Sequence, residues 1–440
     1  MPFGLVAVAG VTVALGYAWR RTREGHDRRI GELDVRIHVN GIRGKSSVTR
    51  LVAAVLREGG FVTVAKTTGS AARVIGAAGE EIPILRRGAA TVNEQVEIVS
   101  RYVTPDVQAL VIECMAVNPI YQRYAQDRIV KSDITIITNV REDHQEVMGE
   151  TLEEIADSMS ETIPRNGVLV TAEDRPRLRD RLAANAARRE CAFEYADPET
   201  VSDEEMSGFG HLEFKANVAI ALRLAQLLGI DRDVAMRGMW KAVPDVGAVH
   251  LQRYAVRGKD LLWVPLFAAN DRESVIAIFE SLSASHLRDH FVVGVLNNRW
   301  DRGRRAELFA EMVPRDLARF LDHVVTFGAY EIVVTTQMKG FGYPADQITN
   351  LGETVNPSLD AILDAIAGLT PAPRIALIGL VNIHTPQAEM LLEHFAAEDH
   401  AGAAADRSAV AEDQHVPLAV VRHRNATRRH LTRRVRSEDA

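Results

Sequence analysis

The sequence predicts an α/β protein: a mostly parallel sheet with helices on both faces, followed by a second, smaller α/β domain. Three observations lead there. Short β-branched runs alternate with amphipathic helical patterns over about 200 residues. A glycine-rich loop joins the first strand pattern to the first helix pattern. The alternation then restarts after a break near residue 246. The 440 residues exceed what a single core organises, which agrees with two domains.

The elements follow in order. DVRIHV (34–39) alternates as a strand, and Val48, Leu51, Val52, Val55 and Leu56 recur at helical spacing up to Gly59-Gly60. FVTVA resumes a strand. NEQVEIVSRY reads as helix, VQALVIE and SDITIITNV as buried strands. Thr151 and Glu154 form a capping box ahead of a helix, and GVLVTA is a further strand. A helix over about 211–228 precedes PDVGAVHLQRY, where a boundary is expected. LLWVPL, a helix from about 271, FVVGVL, HVVTFG, RIALIGL and a last helix near 386–397 make the second domain. The expected division is 30–246 for the first α/β domain and 250–398 for the second. Residues 399–440 are expected to be an Ala/Asp/Glu-rich disordered linker and a basic tail with seven arginines in its last twenty residues.

A net charge of −7 gives no reason to expect nucleic acid as a partner. Two distant cysteines, Cys114 and Cys191, fit a reduced compartment without a disulfide framework. The N-terminus departs from this ordinary profile. Phe3 to Trp19 is uncharged, and Arg20, Arg21, Arg23, Arg28 and Arg29 follow. Residues 1–20 are therefore expected to be a single membrane-spanning anchor, with the arginines keeping the rest of the chain cytoplasmic. The flanks do not match a signal peptide. An apolar helix packed on the protein body is the alternative. The charged stretch after the anchor is expected to separate it from the folded core.

The chemistry gathers at HVNGIRGKSSVTR (38–50). Gly41-Ile42-Arg43-Gly44-Lys45-Ser46-Ser47 is a short G-x-x-G-K-[ST]-[ST] loop between a strand and a helix. Glycines let backbone N–H groups close on phosphate oxygens, and the helix N-terminus adds positive potential. Lys45 supplies a point charge to the β/γ-phosphates of a nucleotide, and a serine hydroxyl reaches Mg²⁺. Glu113 ends a strand at the carboxyl edge, where a carboxylate also suits Mg²⁺. Asn139, Asp143 and His144 cluster after the next strand.

Together GIRGKSS, the strand-end glutamate of VIECMA, and TNVREDH resemble the ATP-binding motifs of the Mur ligase superfamily. The longer stretches HVNGIRGKSSVTRLVAAVLREGG, TTGSAARVI, RRGAATVNEQ and ECMAVNP are similar to the ligase subunits of poly-γ-glutamate synthase, the CapB/PgsB type. So are FAANDRES and VLNNRWDRGRR. The resemblance covers about residues 3–397, including the N-terminal apolar segment. It implies a Mur-ligase-like fold with a P-loop ATPase domain and a smaller Rossmann-like C-terminal domain. It also implies ATP-dependent amide ligation for capsule-type poly-γ-glutamate biosynthesis, with ATP and Mg²⁺ as cofactors and an acyl-phosphate intermediate. By resemblance, Gly41, Arg43, Gly44, Lys45, Ser46, Ser47 and Asn139 cradle ATP, and Ser46, Glu113 and His144 hold the metal. Lys45, Glu113 and His144 are then the catalytic set. FAAN-DRES resembles the superfamily's N-A-N-P-x-S loop, which places Asn270 and Ser274 toward the nucleotide. Arg73, Arg86 and Arg87 are the candidates for an acidic substrate.

The implied partners are glutamate, the growing poly-γ-glutamate, small membrane subunits of a synthase complex and the membrane itself. A homo-oligomer is compatible with the family. Two features depart from the superfamily. No lysine stands between Lys131 and Lys215 to be carbamoylated, and the adenine-side motif survives only as Gly210, His211 and Asn217 at altered spacing. The rival readings are a folylpolyglutamate synthetase or peptidoglycan Mur ligase with another acidic substrate, and a P-loop ATPase that energises assembly or export without making a bond.

Overall fold

The computed structural model describes residues 20–68, 72–86, 90–245, 249, 251–267, 272–352, 357–382 and 385–395. Residues 1–19 of the expected anchor over 1–20, the tail beyond 395, Arg87 and Asn270 lie outside the described residues, as does the side chain of Ser274. Among the described residues no helix is long and apolar enough to cross a membrane. The chain forms two compact units, one from residues within 1–202 and 213–246, the other from residues within 203–212 and 247–417.

The strands of the first unit are β1 (Val35–Asn40), β2 (Thr63–Lys66), β3 (Arg73–Ile75), β4 (Glu81–Pro83), β5 (Ala109–Glu113), β6 (Ile134–Ile137), β7 (Val168–Thr171) and β8 (Ala192–Tyr195). They form one sheet in the order β4-β3-β2-β5-β1-β6-β7-β8. From β2 to β8 every pairing is parallel. Among the described strands of this sheet only β3 is reversed, pairing antiparallel with β2 and with β4 at one edge. The parallel sheet matches the sequence reading. The hairpin was not foreseen, because three-residue strands carry too little periodicity to register.

Strand β1 is buried at every position, although its sequence alternates. Both of its faces are internal, and they differ in chemistry. Val35, Ile37 and Val39 share the apolar face. On the other, Arg36 grips Asp133 with two hydrogen bonds, Nε to Oδ2 at 2.9 Å and Nη2 to Oδ1 at 2.6 Å. The Gln126 carboxamide, oriented with its nitrogen toward His38, donates to Nδ1 at 2.9 Å and accepts from Ser132. Asn40 Nδ2 donates to Gln122 Oε1 at 2.8 Å. Gln122 and Gln126 lie one helical turn apart, so a single helix meets alternate residues of one strand. A slip of one residue would bury Arg36 and His38 in the apolar layer, which fixes the register of β1.

The arginine-rich stretch after the expected anchor is a helix over 20–32 and is not a spacer. It carries His26, Ile30 and Leu33 inward at helical spacing. Ile30 and Leu33 join a core with Val64, Leu110, Ile112 and Ile129. His26 is buried, and its Nε2 donates to the Ile129 carbonyl at 2.8 Å. The expectation of a separating charged stretch is thus corrected: arginines cover the outer face, and the inner face belongs to the first unit's core. The Thr151–Glu154 capping box is present in both directions.

The second unit contains β9 (Gln252–Val256), β10 (Lys259–Pro265), β11 (Phe291–Asn298), β12 (His323–Gly328), β13 (Ile348–Asn350) and β14 (Arg374–Val381). Their order is β13-β12-β11-β14-β10-β9, parallel except for β9 against β10. Helices alternate with the parallel strands, and Trp263, Phe267 and Phe395 pack in its core, with Trp263 and Phe395 ring centroids 4.8 Å apart.

Two predictions follow from this packing. Replacing Ile30 by Ala should cost about 3 kcal/mol, because the side chain is fully buried. Denaturant unfolding checks it; a cost below about 0.5 kcal/mol would mean that the helix over 20–32 is not part of the core. The second concerns pH. Burial pushes the His38 imidazole down to about 4, whereas an unfolded histidine titrates near about 6.5. The folded state therefore binds fewer protons, and this contribution is present above about pH 6.5 and lost as pH falls toward about 4, about 3 kcal/mol in all. His38→Gln should flatten the fall in stability between about pH 7 and about pH 4.5 relative to wild type. Identical slopes would show that His38 is charged in the folded state.

Candidate functional site

The loop after β1 is shaped by two glycines. Gly41 has φ +128°, and a Cβ there would lie 2.0 Å from Thr138 Oγ1. Gly44 has φ +78°, and a Cβ there would lie 2.8 Å from Asn217 Oδ1. No larger residue fits either position without displacing its neighbour. Asn40 Oδ1 accepts the Gly41 N–H at 2.8 Å, so the polar face of β1 sets the start of the turn. The exit of β6 holds the far side. Asn139 Oδ1 accepts from Arg43 N at 3.1 Å, Asn139 Nδ2 donates to Arg43 O at 3.0 Å, and Thr138 Oγ1 donates to the same carbonyl at 2.6 Å. Arg43 and Asn139 are thus joined through backbone and amide, and the Arg43 side chain is exposed.

The helix Lys45–Glu58 starts directly at the loop. Lys45 Nζ curls back over it, donating to Gly41 O at 2.7 Å and Ile42 O at 3.1 Å. Ser46 Oγ donates to Glu113 Oε2 at 2.9 Å, and Ser47 follows, half-buried. Glu113 ends β5, beside β1, and is 2% exposed. Its Oε2 also accepts the Thr68 N–H at 2.7 Å and its Oε1 accepts the Thr68 hydroxyl at 2.6 Å. One carboxylate therefore ties the loop helix to the exit of β2. The Ser46 hydroxyl and the Glu113 carboxylate are adjacent hard oxygen donors of the kind Mg²⁺ takes, and Mg²⁺ commonly binds one or two protein oxygens plus substrate phosphates. Among the described residues no three His, Cys, Asp or Glu side chains gather as a metal cluster.

His144 stands apart from that pair. It is half exposed in a left-handed conformation, φ 48°, at the start of the short helix Gln145–Met148. Its ring nitrogens lie 3.9 Å from Asp143 and 3.7 Å from Glu146. The loop bearing it is anchored by Glu173, just past β7, which accepts the Val140 N–H at 2.6 Å and pairs with Arg141. Burial raises the Glu173 carboxyl above its ordinary range. A cavity of about 300 Å³ brings Lys45, Thr68, Arg86, Asp143 and His144 to one space, with Cys114 in its wall. Burial pushes the Cys114 thiol up to about 11, so it is not a thiolate nucleophile at neutral pH.

The expected substrate arginines part company. Arg73 faces Glu81, 3.8 Å away, at the hairpin edge. Arg86 reaches the cavity and holds Glu94 with two hydrogen bonds of 2.6 and 3.1 Å. Lys66, fully buried at the end of β2, places Nζ 3.1 Å from the same carboxylate. Burial lowers the Lys66 ammonium from its ordinary range against the opposing pull of Glu94. Burial would raise the Glu94 carboxyl, but the Arg86 hydrogen bond and the Lys66 charge outweigh it and leave it low. Sequence reasoning missed Thr68, Lys66, Glu94 and Glu173. It also missed Arg50, buried in the loop helix and paired with Glu81 and Asp245. Asn217, read as an adenine-side remnant, sits against Gly44, with Nδ2 donating to Glu213 Oε1 at 2.7 Å.

Comparison with known proteins completes the picture. Residues 39–211 match the Mur ligase middle domain, and residues 251–398 match the poly-gamma-glutamate synthase CapB C-terminal domain. The chain is 37% identical over 330 residues to the capsule biosynthesis protein CapB of Bacillus anthracis, covering 74% of this chain and 70% of that protein. It is 37% identical over 311 residues to the PGA synthase CapB of Bacillus subtilis (strain 168), covering 70% and 78%. The fold is similar to that of E. coli FolC solved with DHPP and ADP, with a TM-score of 0.53 at 14% identity over 86% of this chain and 92% of that one. The chain accordingly belongs to the CapB family of poly-γ-glutamate synthases, ATP-dependent amide ligases of the Mur ligase fold.

Proposed function

We propose that this ligase joins glutamate units through γ-amide bonds, by way of an acyl phosphate, and releases ADP. The observation that carries this reading is the cavity where Lys45 and His144 face Arg86, with the Ser46–Glu113 pair beside it. Phosphoryl transfer needs positioned charge more than covalent help, and this site offers positioned charge. The Lys45 ammonium exchanges its two backbone carbonyls for phosphate oxygens. That draws electron density toward the β/γ bridge as the γ-phosphoryl group passes to a glutamate carboxylate. Ser46 and Glu113 would hold Mg²⁺, whose charge offsets that of the phosphates when it is bound. Arg86 orients the acidic substrate by its guanidinium, in exchange with Glu94. The amine of a second glutamate attacks the acyl carbon, the C–O bond to phosphate breaks, and the amine proton leaves to a base on the cavity wall. His144, half exposed and flanked by Asp143 and Glu146, would accept that proton in this reading. Asn270 and Ser274 are proposed to contact the nucleotide. The apolar residues 3–19 are proposed to hold the enzyme at the membrane, beside small membrane subunits.

The nucleotide product tests the reaction. Glutamate, ATP and Mg²⁺ with the full-length protein should give glutamate-dependent ADP and phosphate, whereas AMP and pyrophosphate would establish adenylation and overturn the acyl-phosphate route. Lys45→Ala should lower that ADP release by on the order of 10²- to 10³-fold; retention of more than about half would exclude Lys45 from the phosphate site. Glu113→Gln should raise the Mg²⁺ concentration needed for half-maximal activity at fixed ATP. An unchanged metal dependence with lowered activity would assign Glu113 to loop positioning alone.

A further inference from the structure

The first unit holds a second, larger cavity of about 490 Å³, within the range of small-ligand sites. It lies between the helix over 20–32, the chain around Leu85 and Arg86, the helix Glu94–Tyr102 and the residues Tyr124–Ile129. Arg86 lines both this cavity and the one at Lys45. One residue thus forms a shared wall between the proposed reaction space and a neighbouring space that the ligation chemistry itself does not use.

The lining chemistry is specific. Arg23, Arg86 and Arg128 line the cavity against two carboxylates, Glu94 and Glu97. Glu94 is already matched by Arg86 and, from beneath, by buried Lys66. Three guanidinium groups line the cavity against two carboxylates, so its lining is net positive and favours anions. Apolar surface stands among these charges: Leu85 is 91% exposed and Tyr124 47% exposed at its rim. His26 adds a third kind of contact. It is 3% exposed, and because a carbonyl only accepts, its Nε2 must carry the proton donated to Ile129. Burial favours the neutral ring, which makes Nδ1 an acceptor. That Nδ1 has no hydrogen-bond partner among the described residues.

We propose that this cavity binds the growing acidic chain: a γ-linked glutamate oligomer whose end reaches past Arg86 to the reaction space. The inference rests on the γ-glutamyl ligase reading above. Such a chain presents the three features the lining complements. Its α-carboxylates suit Arg23 and Arg128, its side-chain methylenes suit Leu85 and Tyr124, and its amide N–H groups suit His26 Nδ1. A free glutamate has one amine and two carboxylates but no amide, and would engage only part of this surface.

The test uses the full-length protein and a fluorescently labelled γ-linked glutamate pentamer, read by anisotropy, with free glutamate as competitor. Wild type should bind the pentamer at least about tenfold more tightly than free glutamate. Arg128→Glu reverses a charge at an exposed position, and Leu85→Glu adds one at the rim. Each should weaken pentamer binding by about tenfold while ATP affinity, which reads the fold of the first unit, stays within about twofold. If Arg128→Glu loses ATP affinity through misfolding, Leu85→Glu decides. Pentamer affinity unchanged within about twofold in the folded variants would overturn the proposal, as would equal affinity for pentamer and free glutamate. Glutamate-dependent ADP release measured alongside separates the two levels. Its absence in wild type overturns the ligase reading and this one with it; its presence with unaltered pentamer affinity in the variants overturns this one alone.

Discussion

The Glu113 carboxylate holds this site together. It ends the strand next to β1, buried to 2%, and takes hydrogen bonds from Ser46, from the Thr68 amide and from the Thr68 hydroxyl. Those donors come from the loop helix and from the exit of β2, so three chain segments converge on one charged group. A buried carboxylate without such donors would be costly, and with three it is satisfied without a cation. Its position follows from topology, since β5 is inserted between β2 and β1 and its carboxyl end emerges where both neighbours turn away. In open parallel sheets that is where ligands bind.

The same logic extends to the partner side of β1. Glu173, just past β7, does for the Val140–Arg141 loop what Glu113 does for the P-loop helix. Thr138 and Asn139 then clamp Arg43 from β6. The Gly41–Lys45 loop is consequently fixed from both flanks and from below through Asn40. Lys45 is the exchangeable member: among the described residues its Nζ is held by two backbone carbonyls. Rigid surroundings with one exchangeable cation is the arrangement that preorganised charge stabilisation asks for.

Much of this was legible in the sequence, and what was not has physical reasons. The strand–loop–helix at 35–58 and the Thr151 capping box are local patterns, set by periodicity and by residues within one turn. Lys66, Glu94 and Arg86 pair across 28 and 8 positions, and nothing in their neighbours announces it. The alternation in β1 marks a strand correctly, yet its polar residues meet Asp133, Gln126 and Gln122 and not water. The helix over 20–32 was masked by its own arginines. Their charge drew attention from the spacing of His26, Ile30 and Leu33, which is the pattern of a packed helix face.

That helix also sets a geometry. Residues 20–32 rise about 20 Å along the helix axis, with the inner end locked into the core through Ile30 and Leu33. Residue 20 is therefore connected to the sheet of the first unit by a rod and not by a cord. The distance of residue 20 from the sheet is fixed, and so is its bearing: each residue inserted into the outer turns of the rod would turn that end by about 100° around the axis and advance it by about 1.5 Å. The direction in which the chain leaves the first unit at that end is thus a matter of helical phase.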